Sequence, residues 1–436
     1  MTKIYYHATP VDWRKEKKYR FLDEAGSLSG VEWRELAPDG KNNWLTEGMR
    51  EEFERFIPIT KRRDEPDGVF EEISRGVETT RDKWVYNFQQ NYLSIRIREF
   101  IDTFNGEVAR WHETKRDNGT LDSFIDSDHT KIKWSRLLKQ KLSEGTRFEF
   151  NEERINVALF RPFTKQFIYF SRDLIYLPGI FPRAFPLDKS SNENQTITLS
   201  DQGLRSPFSA LISNIPADLH LCATSDAFQT FPFYIYDEDG ANRRENITDW
   251  ALEQFREQYN DAAITKWDIF YYTYALLHHP DYRDKYAANL KRELPRIPFA
   301  PDFWGFANAG KELADIHVNY EGQPEYKLEM VENGKLALDW RIERMKYNKD
   351  KTAIVYNEFL TIDGIPPEVH EYRLGNRSAL DWIVDQYKVS TDKRSGIVND
   401  PNRDEDPQYI VRLIKKIVTV SLRTNAIVNS LPAISE

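Results

Sequence analysis

A chain of 436 residues exceeds one simple core, and 40% hydrophobic with 14% aromatic residues points to two or three packed domains and excludes general disorder. The net charge of −9 argues against a general nucleic-acid coat protein but leaves room for local basic surfaces. A single cysteine, Cys222, excludes a disulfide framework and a cysteine zinc cluster, which fits a reducing cytoplasm, and no apolar run approaches the roughly 18 residues of a membrane span.

The N-terminal "KIYYHAT" reads as a strand whose partner lies late in the chain or outside it. "WRKEKKYRFLDEA" reads as a charged helix, and "IPITKRRDEPDG", Ile57 to Gly68, as a polar linker. Apolar residues at 93, 97, 100, 101, 104, 108 and 111 form a helical stripe. "WSRLLKQKLSEG" is a helix closed by Gly145. Residues 1–145 therefore read as mostly helical.

After Thr146 the pattern changes. "INVALFRPF", "QFIYF", "DLHLCAT" and "FPFYIY" read as short strands rich in β-branched and aromatic residues. Helices return at "ITDWALEQFREQY" and "TKWDIFYYTYALL", the second with Thr265 and Asp268 as a capping box. Pro280 interrupts, and a further helix from Asp281 to Leu290 would complete an αα-hairpin. "PDFWGFANAGKELADIHV" is another helix. "YKLEMV", "TAIVYN" and "EVHEYRL" are strands. Ser378 caps a helix over "SALDWIVDQYKV", and apolar residues at 410, 413, 414 and 417 mark the last helix. The fold class is α+β, divided as 1–145, 146–330 and 331–436.

Familiar catalytic signatures are absent: no G-x-S-x-G elbow and no H-E-x-x-H. Adjacent His278 and His279 point in different directions on a helix and read as its C-terminus. "GFANAGKE" has phosphate-loop spacing, but Glu312 stands where a hydroxyl should hold magnesium, so it reads as an ordinary helix. Asp302, Glu325 and Lys327 follow the order of a nuclease's metal-binding carboxylates and lysine, and would hold Mg²⁺; Asp302 equally reads as a helix start. A methyltransferase would need a Gly-rich cofactor turn and an N-P-P-Y loop, and "GIPPEV" supplies neither. The basic windows "YRDKYAANLKRELPRI" and "RIERMKYNKDK" read as solvated faces. In "RPFTKQFIYFSR", Phe163, Phe167 and Tyr169 would pack inward and leave Arg161 or Lys165 accessible.

The segments "WRKEKKYRFL", "SGVEWRELAPD", "SRGVETTRDKWVYNF", "RPFTKQFIYFSR", "DIFYYTYALLHHPDYRDKYAANLKRELPRIPF" and "DKRSGIVNDPN" together resemble the C-terminal part of single-polypeptide Type I-like (Type ISP) restriction–modification enzymes. In that family one chain carries a nuclease, a helicase, a coupler, an adenine methyltransferase and a terminal target recognition domain. The resemblance implies that residues 1–145 are a connector carrying the last methyltransferase strand, "KIYYHAT". Residues 146–330 would be the mixed α/β target recognition domain, completed by 331–436. It implies duplex DNA as partner, contacted by Arg75, Arg81, Arg161, Lys165, Arg172, Lys393 and Arg394. S-adenosylmethionine, ATP and Mg²⁺ would serve upstream domains, or a separate subunit carrying them, and this chain would hold no cofactor and catalyse nothing alone. The rival readings are a stand-alone nuclease built on Asp302, Glu325 and Lys327, and a protein-docking module without activity.

Overall fold

The computed structural model describes residues 3–435 apart from 10–12, 14, 39–41, 43, 63–64, 115–119 and 187–192. Arg14 of the first helical segment, and Arg63 and Asp64 of the Ile57–Gly68 stretch, lie outside the described residues. Ile4–Tyr6 (β1) is a strand, Lys15–Ala25 (α1) is the charged helix, and Arg34–Leu36 (β2) is β1's antiparallel partner, with Ile4 opposite Leu36. The partner of β1 is therefore local, not late in the chain. No residue of α1 is buried.

Ile57–Pro58 (β3) opens the stretch that composition presents as a linker. It is tied into the body instead. β3 pairs with Arg296 and Ile297, and Ile59 N donates to Pro295 O at 3.1 Å. Arg296 donates to both Glu65 oxygens at 2.6 and 2.7 Å. The polar run hides the receiving half of an ion pair whose other half lies 231 residues on.

Ser74–Arg75 (β4), Asp82–Val85 (α2) and Tyr86–Asn87 (β5) follow. Gln90–Thr114 (α3) buries Leu93, Ile97, Phe100, Ile101, Phe104 and Val108, the stripe its period predicts. Leu121–Phe124 (α4) is short; Arg136–Glu144 (α5) ends at Gly145, whose φ of 76° suits glycine. The helical character of the first 145 residues thus lies chiefly in α1, α3 and α5.

Ile155–Arg161 (β6) and Thr164–Tyr169 (β7) form a hairpin, and β5 adds to it in the order β5-β7-β6. Phe181–Ala184 (α6) leads to Thr196–Ser200 (β8), Ala210–Ser213 (β9) and Phe228–Pro232 (β10), which join β4 in the antiparallel order β4-β10-β8-β9. β8 and β9 are buried at every position, so their sequences lack the alternation that marks a half-buried strand. "DLHLCAT" is a turn after one bridge at Asp218, because the Asp218 carboxylate accepts His220 N at 3.0 Å and bends the chain.

Tyr234–Ile235 (β11) pairs with Arg244–Glu245 (β12), and Asp249–Tyr259 (α7) precedes Lys266–Leu276 (α8). The Thr265–Asp268 capping box is present in both directions. Pro280–Lys285 (α9) and Ala287–Leu290 (α10) replace the single helix expected there, because the backbone leaves helical geometry at Tyr286. Arg296–Ile297 (β13) leads to Phe303–Val318 (α11). α8 packs along α11 instead of folding back on α9. The contact is backbone-close: a Cβ at Gly310 would stand 1.8 Å from Tyr271 O.

Glu329–Glu332 (β14), Lys346–Tyr347 (β15), Ala353–Val355 (β16) and Leu360–Asp363 (β17) form the sheet β14-β17-β16-β15. "EVHEYRL" divides into a 3₁₀ turn at Pro367–His370 and Arg373–Leu374 (β18), paired with Arg377–Ser378 (β19). Ser378 caps Ala379–Gln386 (α12), again with a full capping box. Ser390–Thr391 (β20) and Val398–Asn399 (β21) form a hairpin, and Tyr409–Asn429 (α13) buries Ile410, Leu413, Ile414 and Ile417. One buried apolar cluster runs from Phe53 to Ile427 in an α+β architecture. No helix among the described residues is long and apolar enough to cross a membrane.

Candidate nucleic-acid interface

The segment after β4 is pinned to the turn after β9. Val77 N donates to Ala217 O at 2.9 Å, and Leu219 N to Val77 O at 3.0 Å. Gly76 permits this approach, since a Cβ there would lie 2.7 Å from Asp218 O. The chain then bends sharply. Thr80 has φ 59°, a costly conformation for a β-branched residue. The Thr79 hydroxyl donates to Asp82 and accepts Arg81 N, while Lys133 Nζ donates to Thr80 O.

This bend buries Arg81, which is 2% exposed. Its Nη2 donates to Ser135 Oγ at 2.6 Å, and its guanidinium lies 5.6 Å from the Phe100 ring centre. Its Nε and Nη1 find no acceptor, and no carboxylate pairs with it among the described residues. Burial lowers its pKa to about 10, so it remains a cation at neutral pH.

Arg161 is not accessible as its sequence context suggests. The register of β6 against β7 shifts between Leu159 and Arg161, and this irregularity turns Arg161 inward. Arg161 Nη1 donates to Asp218 Oδ1 at 2.7 Å, with side-chain exposures of 11% and 2%. Burial pushes the Asp218 carboxyl up to about 6, while the Arg161 charge pulls it down. Phe163 is buried at φ 55° in the hairpin turn and Tyr169 is buried, but Phe167 stays half-exposed beside Lys165, which pairs with Glu321.

The other four expected contacts are exposed. Arg75 pairs with Asp201 at 3.3 Å, and Arg172 with Glu238 at 2.5 Å. Arg394 and its neighbour Lys393 sit on the β20–β21 turn. That turn is held by the Asp392 carboxylate, which accepts Arg394 N at 3.1 Å and Ser395 N at 2.8 Å. No partner is present for either side chain of Lys393 or Arg394 among the described residues.

The tertiary fold brings Arg81 and Arg394 to one cavity of about 450 Å³. Lys83, Lys133, His129 and His220 also line it, with Glu78, Asp82, Asp218 and Asp392. Arg161 touches this wall only through Asp218; Arg75, Lys165, Arg172 and Lys393 do not line it. Sequence reading missed Lys83, Lys133 and Asp218. Lys83 lies inside the family-like segment "SRGVETTRDKWVYNF", but nothing local to Lys133 or Asp218 signals that they meet.

Asp302, Glu325 and Lys327 do not form a metal site. Asp302 caps α11, accepting Gly305 N at 2.8 Å, and Glu325 pairs with Lys415 beyond the other end of that helix. Sixteen residues separate the two ends, about 24 Å at the usual helical rise. Lys327 is exposed.

The family model of the Type ISP C-terminal specificity domain matches residues 68–413, which include every residue of the cavity. The chain belongs to the Type ISP C-terminal specificity-domain family. Solved structures of DNA-bound proteins, two of them Type ISP enzymes, share its fold. A nuclease-deletion mutant of LlaGI in complex with a DNA substrate mimic is 33% identical, with TM-score 0.84 over 96% of this chain and 38% of its own. The DrdV–DNA complex is 32% identical, with TM-score 0.86 over 100% of this chain and 44% of its own. The ATP-dependent Type ISP enzyme LlaBIII bound to DNA is 29% identical, with TM-score 0.84 over 96% and 27%. This specificity-domain chain thus spans less than half the length of each. No curated protein matches it. Its β1–α1–β2 unit precedes the matched residues.

Proposed function

We propose that this chain recognises the duplex DNA target of a Type ISP restriction–modification enzyme. Its Arg81 and Arg394 loops face the duplex, and methyl transfer, ATP-driven motion and cleavage are carried out elsewhere in the assembly. The supporting observation is the match over residues 68–413 to a specificity domain, joined to three DNA-bound relatives that align with nearly all of the chain. S-adenosylmethionine, ATP and Mg²⁺ belong to those other regions. The expected contacts divide by the chemistry of their side chains: Arg394, Lys393 and Arg75 are accessible for phosphate or base edges, whereas Arg161 and Lys165 act through the carboxylates they hold.

The partner polypeptide docks at the N-terminal unit. Of fifteen exposed large apolar side chains among the described residues, six fall in this unit: Ile4, Tyr5, Tyr19, Leu22, Leu28 and Trp33. Among the described residues β1 and β2 pair only with each other, which leaves both outer edges open to a sheet. The occupant proposed is the methyltransferase region of the same enzyme.

An exchange experiment tests the function. Replacing the specificity region of a Type ISP relative with this chain should change the sequence that the hybrid methylates. A hybrid that still methylates the relative's own site, with this chain unable to bind duplex at low salt, overturns the proposal.

A further inference from the structure

We infer that the cavity between the Thr79–Asp82 bend and the β20–β21 turn binds a phosphate group, with Arg81 as its fixed buried charge. The inference rests on the DNA-recognition reading for the source of that phosphate, not for the existence of the site. The argument is a balance of charges around a space. Four cations line the cavity: Arg81, Lys83, Lys133 and Arg394. None of them forms an ion pair with a carboxylate among the described residues; Lys133 is held only by the Thr80 carbonyl and Arg81 by the Ser135 hydroxyl. Only Asp218 among the four wall carboxylates is matched by a cation from outside the cavity; Asp392, Asp82 and Glu78 keep their charge, so the four cations exceed them by one. Asp218 takes Arg161 at 2.7 Å, Asp392 takes two backbone N–H groups of its own turn, and Asp82 takes the Thr79 hydroxyl.

A guanidinium that is 2% exposed, with no carboxylate and two nitrogens lacking acceptors, is an expensive thing to bury for stability alone. In surroundings of low dielectric its field acts strongly on the neighbouring space. That space, about 450 Å³, has ample room for a phosphate group and part of the chain that carries it. Lys83, Lys133 and Arg394 are exposed and supply the movable donors. The bend is held in a strained conformation by Lys133 itself, which ties the shape of the cavity to one of its cations.

Two sources fit this chemistry, a DNA backbone phosphodiester and a free phosphate. The test uses the whole chain, with Lys133→Gln, Arg394→Gln and their double variant, all at exposed positions, and Lys327→Gln, also exposed, as a control outside the cavity. Duplex binding is measured by anisotropy across a salt series with two unrelated sequences. Thermal unfolding is followed with and without inorganic phosphate. For a backbone phosphate, each cavity variant weakens both sequences alike and lowers the salt slope by about one unit, the double variant by about two, and Lys327→Gln leaves the slope unchanged. For a free phosphate, inorganic phosphate raises the Tm of the wild type and the control but not of the double variant, whether or not DNA binds. If the wild type binds duplex while the variants match it in affinity, slope and phosphate response, the cavity is not an anion site and the recognition reading survives. If the wild type binds neither duplex nor phosphate, both fall.

Discussion

Arg161 and Asp218 meet at 2.7 Å with both side chains largely out of water. Breaking one half of such a pair leaves the other charge stranded, so Arg161→Ala should destabilise the protein by about 3–5 kcal/mol. The loss should depend on pH, and its sign follows from the carboxyl. The folded pKa of Asp218, about 6, lies above the ordinary 3.8. The stabilisation linked to its proton is therefore full below about 3.8 and lost as pH rises through about 6. Without the Arg161 charge that pulls it down, the buried carboxyl titrates higher still. Urea unfolding at pH 5 and pH 8 should show a larger deficit for Arg161→Ala at pH 8. An equal deficit at both values, or one under about 0.5 kcal/mol, means the pair is not the reason Arg161 is buried.

Two helical glycines behave oppositely at the scale of elements. Gly310 on α11 faces the backbone of α8, where a Cβ would stand 1.8 Å from Tyr271 O. A Cβ added to Gly106 on α3 would meet nothing within 4 Å. Gly310→Ala should cost about 1–3 kcal/mol by forcing α8 and α11 apart. Gly106→Ala should raise stability by about 0.5–1 kcal/mol, because alanine loses less backbone entropy in a helix. Thermal melts of the two variants check the pair; a rise in Tm for Gly310→Ala would mean that the two helices are not in that register. The α8–α11 contact matters beyond itself, since α11 also packs on α13 and on β9, whose following turn carries Asp218 to the cavity.

For the whole molecule, a charge of −9 opposes long-range attraction to DNA, while four cations that form no ion pair among the described residues line the cavity. Binding by this chain alone should therefore be weak and steeply salt-dependent, with non-specific Kd about 10⁻⁴–10⁻⁶ M at physiological salt. A titration of duplex from low to physiological salt measures it. Affinity independent of salt would show that phosphates are not what the chain grips.

Helices were legible in the sequence because their signals are local. The α3 stripe, the Thr265–Asp268 and Ser378 caps and the Gly145 stop each lie within a few residues of the element they define. The long segments shared with Type ISP enzymes were legible as well, and with them the family. What depended on the tertiary structure was every pairing of distant residues. β8 and β9 are buried on both faces and carry no alternation, and β1 chose a nearby strand that composition did not mark. The Ile57–Gly68 stretch looked solvated until Arg296 closed on Glu65. Arg161 looked exposed until a register shift turned it toward Asp218, 57 residues away. Alternation and charge report the environment of a residue only when one side of its element faces water, and an ion pair closed inside the fold leaves in the sequence two ordinary polar residues far apart.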